Sequence, residues 1–237
     1  MIRARDDERV VAGALLIVGP LLFYVAVISI VSLADPSGRS IVSLPEEARL
    51  PLIAANASRW ELGWAFGISG IVVTVLGLVM LEAVLRSAGD RVLARLGLAA
   101  FLFGAVLTVA GRASEVSVAI WAARETAAGA PIPTVLGPLV DWSNAMTAVY
   151  SALAFAALAA FGGSILKTGL LSRGVAWAAV AWGVGWGLVF VVEWIAVGGF
   201  DYPVLHHVMP LVIGVALLRQ TLRERRSIAE ASVSNNT

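Results

Sequence analysis

Runs of about 20 apolar residues recur along this chain, and each ends at a cluster of charge, proline or glycine; at about 1.5 Å of rise per residue a helix of that length crosses a hydrocarbon core of about 30 Å. The first run is Val10–Leu33, with Pro20 and Tyr24 inside it. It is too long for the core of a signal peptide and is followed by no convincing small-residue cleavage site, so it reads as a retained first span. A polar connection, Ala34–Ser58, carries Pro36, Pro45 and Pro51, and its Ile41–Leu52 portion suits a short interfacial helix. Span 2 begins near Trp60–Trp64 and ends near Leu85, where Glu82 and Arg86 stand at i,i+4 and can pair.

Ser87–Asp90 breaks that helix, and span 3 starts after Arg95. Its helical pattern persists to about Ala128, beyond what a bilayer needs, until Gly129–Pro133 stops it. Span 4 covers Asp141–Leu166, with Asp141 placed to cap its start, and its alanines and Gly162–Gly163 suit close packing. Span 5 is Val175–Gly198, where Gly183 and Gly187 form a small-x-x-x-small contact. After a Gly198–Asp201 turn, span 6 is Val204–Leu218, shorter and interrupted by Pro210. The reading is therefore all-α: an integral membrane bundle of six transmembrane helices over residues 1–221, and a basic, then Ser/Asn-rich cytoplasmic tail over 222–237.

Composition narrows the classes further. With 59% hydrophobic and 14% charged residues, little material remains for a separate soluble domain. The absence of cysteine excludes disulfides, thiolate nucleophiles and Cys-ligated metals. A net charge of +1 gives no reason to expect a nucleic-acid partner, and the cations are better explained by topology. With the amino terminus in the cytoplasm, 12 of the 17 Lys and Arg residues fall inside, leaving Arg39, Arg49, Arg59, Arg112 and Arg124 toward the outer side. Both termini are then cytoplasmic. No internal repeat of the inverted-transporter kind is evident.

The candidate chemistry lies toward the outer side. Trp182, Trp186, Phe190 and Glu193 fall within about 80° of one another on a helical wheel, so three rings and a carboxylate share a face of span 5. Intramembrane acids generally face the bundle interior or a wet cavity. Glu61 and Trp64, Arg112 and Glu115, Asp141 and Asn144, Glu193 and Trp194, and His206 and His207 all map to the outer third of the bilayer or its rim. Glu61, Asp141 and Asp201 are explained by helix ends alone. Arg112 and Glu115 each interrupt a continuous apolar helix, and either pair with each other or leave Arg112 for Glu193. Glu193 is the leading candidate for a general acid and Glu115 the second, with Arg112, Asn144, Trp182, Trp186, Phe190, Trp194, His206 and His207 as substrate-binding residues. The structural alternative is that a tryptophan stripe at helical spacing is bundle core or lipid belt. Adjacent His206 and His207 diverge by about 100° on a helix and do not easily share a metal, so no metal or cofactor is expected.

Three segments carry a family likeness: Arg9-Val-Val-Ala-Gly-Ala-Leu-Leu-Ile-Val-Gly-Pro, the Ala55-Asn-Ala-Ser-Arg-Trp approach to span 2, and Lys167-Thr-Gly-Leu-Leu-Ser-Arg-Gly. The chain resembles a widespread group of six-span bacterial membrane proteins defined by a domain of unknown function. That resemblance implies a six-span architecture in a bacterial inner membrane and transfers no site residues.

The expected function is binding of a membrane lipid or other hydrophobic or amphipathic small molecule in an acidic, Trp-lined pocket of the outer leaflet. One mechanism makes the protein a membrane enzyme on a lipid or isoprenoid-like substrate, with Glu193 as general acid and Trp faces stabilising positive charge. The alternatives are a small proton-coupled transporter or efflux component, and a non-catalytic membrane scaffold. The glycine and alanine faces suit either packing within the chain or a homo-oligomer.

Overall fold

A computed structural model describes residues 2–197 and 204–234. The helices are α1 (Ile2–Val31), α2 (Glu46–Ala55), α3 (Ala57–Ser87), α4 (Leu93–Ala127), α5 (Leu136–Thr168), α6 (Arg173–Val197) and α7 (Leu205–Ser234), and no strand occurs among the described residues. All except the short α2 are long and apolar enough to cross a membrane, which makes this a multi-pass membrane protein with an all-α, six-helix bundle. The expected Gly198–Asp201 turn lies outside the described residues.

Between lipid-solvated helices close backbone approach replaces the hydrophobic effect as the main source of association, and glycine supplies it here. A Cβ on Gly70 would lie 2.6 Å from the backbone nitrogen of Phe23 and 2.7 Å from the carbonyl oxygen of Gly19, so α1 and α3 touch backbone to backbone. On another face of α1, Gly13 meets Gly214 of α7. Gly183 of α6 sits against α5, where an added Cβ would stand 2.5 Å from the Phe155 carbonyl oxygen. The helices thus close a ring: α3 and α7 flank α1, α4 and α6 flank α5, α3 meets α4, and α7 meets both α5 and α6. Phe101, Tyr150, Phe155 and Phe161 fill its centre with their side chains fully buried.

Both chain ends gather at one end of this ring, where Arg9 pairs with Glu224 at 2.9 Å and Arg225 with Asp7 at 2.7 Å. Glu82 there faces Arg86 at 3.9 Å and also Arg95 at 3.7 Å. In the turn between α3 and α4, fully buried Asp90 accepts the backbone N–H of Ala94 at 3.0 Å and the Lys167 ammonium at 3.0 Å. Burial acts to raise the Asp90 pKa. The neighbouring Ser164 hydroxyl, Lys167 and the amides of Ala94 and Val92 outweigh it and hold the carboxyl below its ordinary range.

At the other end α4 runs for 35 residues, about 52 Å, well past a hydrocarbon core of about 30 Å. The excess is covered by the connection between α1 and α3. Leu33, Ile41, Leu50, Ile53 and Trp60 bury themselves against Ala119, Ile120, Ala123 and Leu136, making a second apolar cluster beyond the bundle core. Asp35 organises the start of this cap: its carboxylate accepts the Ser37 hydroxyl and amide and the Arg39 amide and guanidinium. The Ser37 hydroxyl first, then the Arg39 amide, lower its pKa to about 2.

Two expectations shift in detail. α5 begins at Leu136, a turn before Asp141, because buried Leu136 anchors its start in the cap; Asp141 is therefore an exposed residue inside the helix and not its cap. α7 runs through Pro210 and past Leu218 to Ser234, with the ion pairs to Arg9 and Asp7 holding its basic portion against α1. Residues 222–234, the greater part of the stretch read as a tail, are thus helical.

Candidate functional site

Arg112 and Glu115 stand one turn apart on α4, within the apolar helix. Their ion pair measures 2.6 Å, and Glu115 is 5% exposed. The Ser143 hydroxyl of α5 donates to the same Glu115 oxygen at 2.7 Å, and Arg112 donates through its other terminal nitrogen to Asn144 Oδ1 at 3.3 Å. The guanidinium carbon lies 5.3 Å from the Trp64 ring centroid on α3, inside cation–π range of about 6 Å. Three helices therefore meet on one ion pair, its carboxylate buried and its guanidinium half-buried. Isolated charges at such depth are costly, and this set leaves none isolated.

Trp64 is also a wall of a groove between α3 and α4. The groove encloses about 430 Å³ and is lined by Glu61, Trp64, Ala65, Ile68, Ala113, Val116, Ser117 and Ile120. Its floor is apolar. One rim carries the Glu61–Arg124 ion pair at 3.7 Å, and Trp64 separates the other from Arg112. Such a volume falls in the range of about 300–1,000 Å³ typical of small-molecule sites.

A second polar centre lies deeper. His206 and His207, at the start of α7, are 1% and 0% exposed among aromatic rings. Phe23 of α1 stacks on His207 with centroids 4.0 Å apart, and Tyr150 of α5 sits edge-on to His206 at 4.5 Å. Tyr150 Oη and His207 Nε2 are 3.5 Å apart, while both ring nitrogens of His206 and Nδ1 of His207 have no hydrogen-bond partner among the described residues. Buried polar atoms are nearly always satisfied, so three orphan nitrogens mark a place suited to water or another small hydrogen-bonding group. The Thr108 and Thr147 hydroxyls meet at 3.2 Å between α4 and α5, in the interval between Ser143 and Tyr150.

The aromatic stripe of α6 forms largely as its spacing implies. Trp182 and Trp186 have centroids 5.8 Å apart, Phe190 and Trp194 stack at 5.9 Å, and the Trp182 indole N–H donates to the Leu205 carbonyl at 2.9 Å. Trp182 thereby fixes the start of α7 beside the histidines. Glu193 does not join this set: it is partly exposed and makes no hydrogen bond or ion pair with Arg112, Glu115 or either histidine among the described residues. Trp194 beside it is 44% exposed. Of the expected site residues, the structure unites Arg112, Glu115 and Asn144 in one cluster and Trp182, His206 and His207 around another, and leaves Glu193 and Trp194 at the margin.

Ser143, Thr147, Tyr150 and Phe23 were not anticipated as site residues. The first three, Ser143, Thr147 and Tyr150, recur at helical spacing on α5 beside Asn144, and that periodicity is the signal that identifies their shared face. Among the described residues, no group of three or more His, Asp or Glu side chains is arranged to hold a metal. Comparison with protein-family models, with curated proteins and with solved structures returned no match.

Proposed function

We propose that this membrane protein binds a hydrophobic or amphipathic small molecule in the groove between α3 and α4, its apolar body along Ile68, Val116 and Ile120 and its polar end toward Trp64, with Arg112 behind that ring. One observation carries the reading: a part-buried ion pair within the span stands behind Trp64, the wall of an open, mainly apolar groove of about 430 Å³. Because Glu115 neutralises Arg112, the site favours a polar end with little net charge, such as a hydroxyl, amide or zwitterionic group. In the inner membrane of a bacterium, with both termini cytoplasmic as the distribution of cations implies, the groove faces the outer leaflet.

Filling the groove tests this. Ala65→Trp and Ala113→Trp both add bulk to its lining. Mass spectrometry of the purified protein should find a co-purifying amphiphile on the wild type and its loss from both variants. Equal retention in folded variants would refute the assignment.

A proton-coupled carrier is the second reading, and the buried His206–His207–Tyr150 centre favours it, since intramembrane histidines serve proton relays. Gradient-driven uptake in vesicles that disappears in His206→Gln, with amphiphile binding intact, is its expected signature. The enzymatic reading asks a carboxyl group to donate a proton, yet Glu115 is engaged by Arg112 and Ser143, and Glu193 stands apart from both polar centres. Product formation from a lipid substrate in detergent, lost in Glu193→Gln, would restore it. If both substitutions leave every activity unchanged in a folded protein, the scaffold reading is favoured.

A further inference from the structure

The basic extension of α7 divides into two faces. On one, Glu224 accepts Arg9 at 2.9 Å and Gln220 at 2.9 Å, and Arg225 reaches Asp7 at 2.7 Å. On the other, Arg219, Arg223 and Arg226 are exposed and have no acidic partner within ion-pair distance among the described residues. These three line, with Leu222, which is 52% exposed, a shallow hollow of about 250 Å³. Glu224 and Asp7 are committed to the opposite face, and Glu230, a turn beyond Arg226 on the arginine face, makes no ion pair with the three among the described residues, so three guanidiniums and one apolar side chain share the hollow.

Depth identifies the occupant. The apolar run of α1 begins at Val10; Gly13 packs on Gly214 and Arg9 pairs with Glu224, so Arg219 to Arg226 lie level with the polar start of that span. At the level where the charged start of α1 gives way to its apolar run, the three cations straddle the boundary between acyl chains and headgroups. A soluble partner would have to reach into that layer, whereas a phospholipid phosphate already lies there. Guanidinium binds phosphate through paired N–H donors, and Leu222 at the same level can contact the glycerol and upper acyl carbons.

We propose that Arg219, Arg223 and Arg226, with Leu222, form a binding site for the headgroup of an anionic phospholipid in the leaflet at the end of the bundle where the two termini meet. The site is separate from the groove between α3 and α4, and neither assignment depends on the other.

The test uses the full chain, reconstituted in nanodiscs of equal phosphatidylcholine and phosphatidylglycerol, extracted into mild detergent and weighed intact by native mass spectrometry. The wild type should retain phosphatidylglycerol in preference to phosphatidylcholine. In R219Q/R223Q/R226Q that preference should fall by roughly tenfold or more, and in R219K/R223K/R226K it should largely persist, because charge near the membrane surface supplies most of the attraction. Size-exclusion chromatography confirms that each variant is folded. Equal retention of the two lipids by the wild type, or an undiminished preference in the triple Gln variant, would overturn the proposal. So would a wild-type dimer that dissociates on the triple Gln substitution, because a second copy would then occupy the hollow.

Discussion

Arg112 and Glu115 balance each other in a place where neither charge is tolerable alone, so the two are energetically coupled. Arg112→Ala leaves Glu115 buried at 5% exposure with only Ser143 as donor, and the expected loss is about 3–5 kcal/mol in thermal unfolding in detergent. R112M/E115L removes both charges and should cost less than half as much; equal losses would show that the pair is not coupled. Asp90 gives a pH prediction outside the membrane spans. Its folded pKa is depressed, so its stabilisation is complete above the unfolded value of about 3.9 and is lost as pH falls through the lower folded value. Asp90→Asn should lower stability at neutral pH by about 1.5–3 kcal/mol and flatten the acid limb of a pH–stability curve, whereas Ser87→Ala should leave that limb unchanged.

The helices were legible in the sequence because a membrane imposes its own length scale. The end of the Val10–Leu33 run, the long third span and the break at Gly129–Pro133 reappear within a few residues of the observed α1 and α4 boundaries, while α1 starts eight residues earlier, at Ile2. Gly162 and Gly183 also stand where close packing was expected, each against a neighbouring helix. What periodicity could not supply was rotation: the same hydropathy permits Glu193 to face inward or sideways, and only the packing of α6 between α5 and α7 decides. Nor could it assign partners, since Arg112 could reach Glu115 or Glu193 on equal sequence grounds. Packing makes its own prediction at this scale. Gly183→Ala must push α6 off the Phe155 carbonyl and should lower stability by roughly 1–3 kcal/mol, whereas Gly185→Ala meets nothing within 4 Å and should be neutral or mildly stabilising. If the two substitutions behave alike in thermal unfolding, α5 and α6 do not depend on that approach.

Across the whole molecule, the ion pairs joining α1 to α7 put the start of α1 and the end of α7 on one side, which the proposed orientation places in the cytoplasm. A chain without cysteine makes this easy to check. Thr134→Cys, exposed between α4 and α5, should react with a membrane-impermeant maleimide on intact cells, whereas Ser172→Cys, between α5 and α6, should react only after permeabilisation. The reverse pattern would invert the topology and move the groove to the inner leaflet. The cluster of Ile41, Leu50, Ile53 and Leu136 meets a different competing solvent from the glycine-packed ring, because water surrounds the former and lipid the latter. Urea and cold weaken the first kind of cohesion, and harsher detergent weakens the second. The molecule can therefore come apart in stages, shedding its outer knot while the ring remains inserted, and a groove bounded by Ile120 of that knot would lose a wall before the protein lost its place in the membrane.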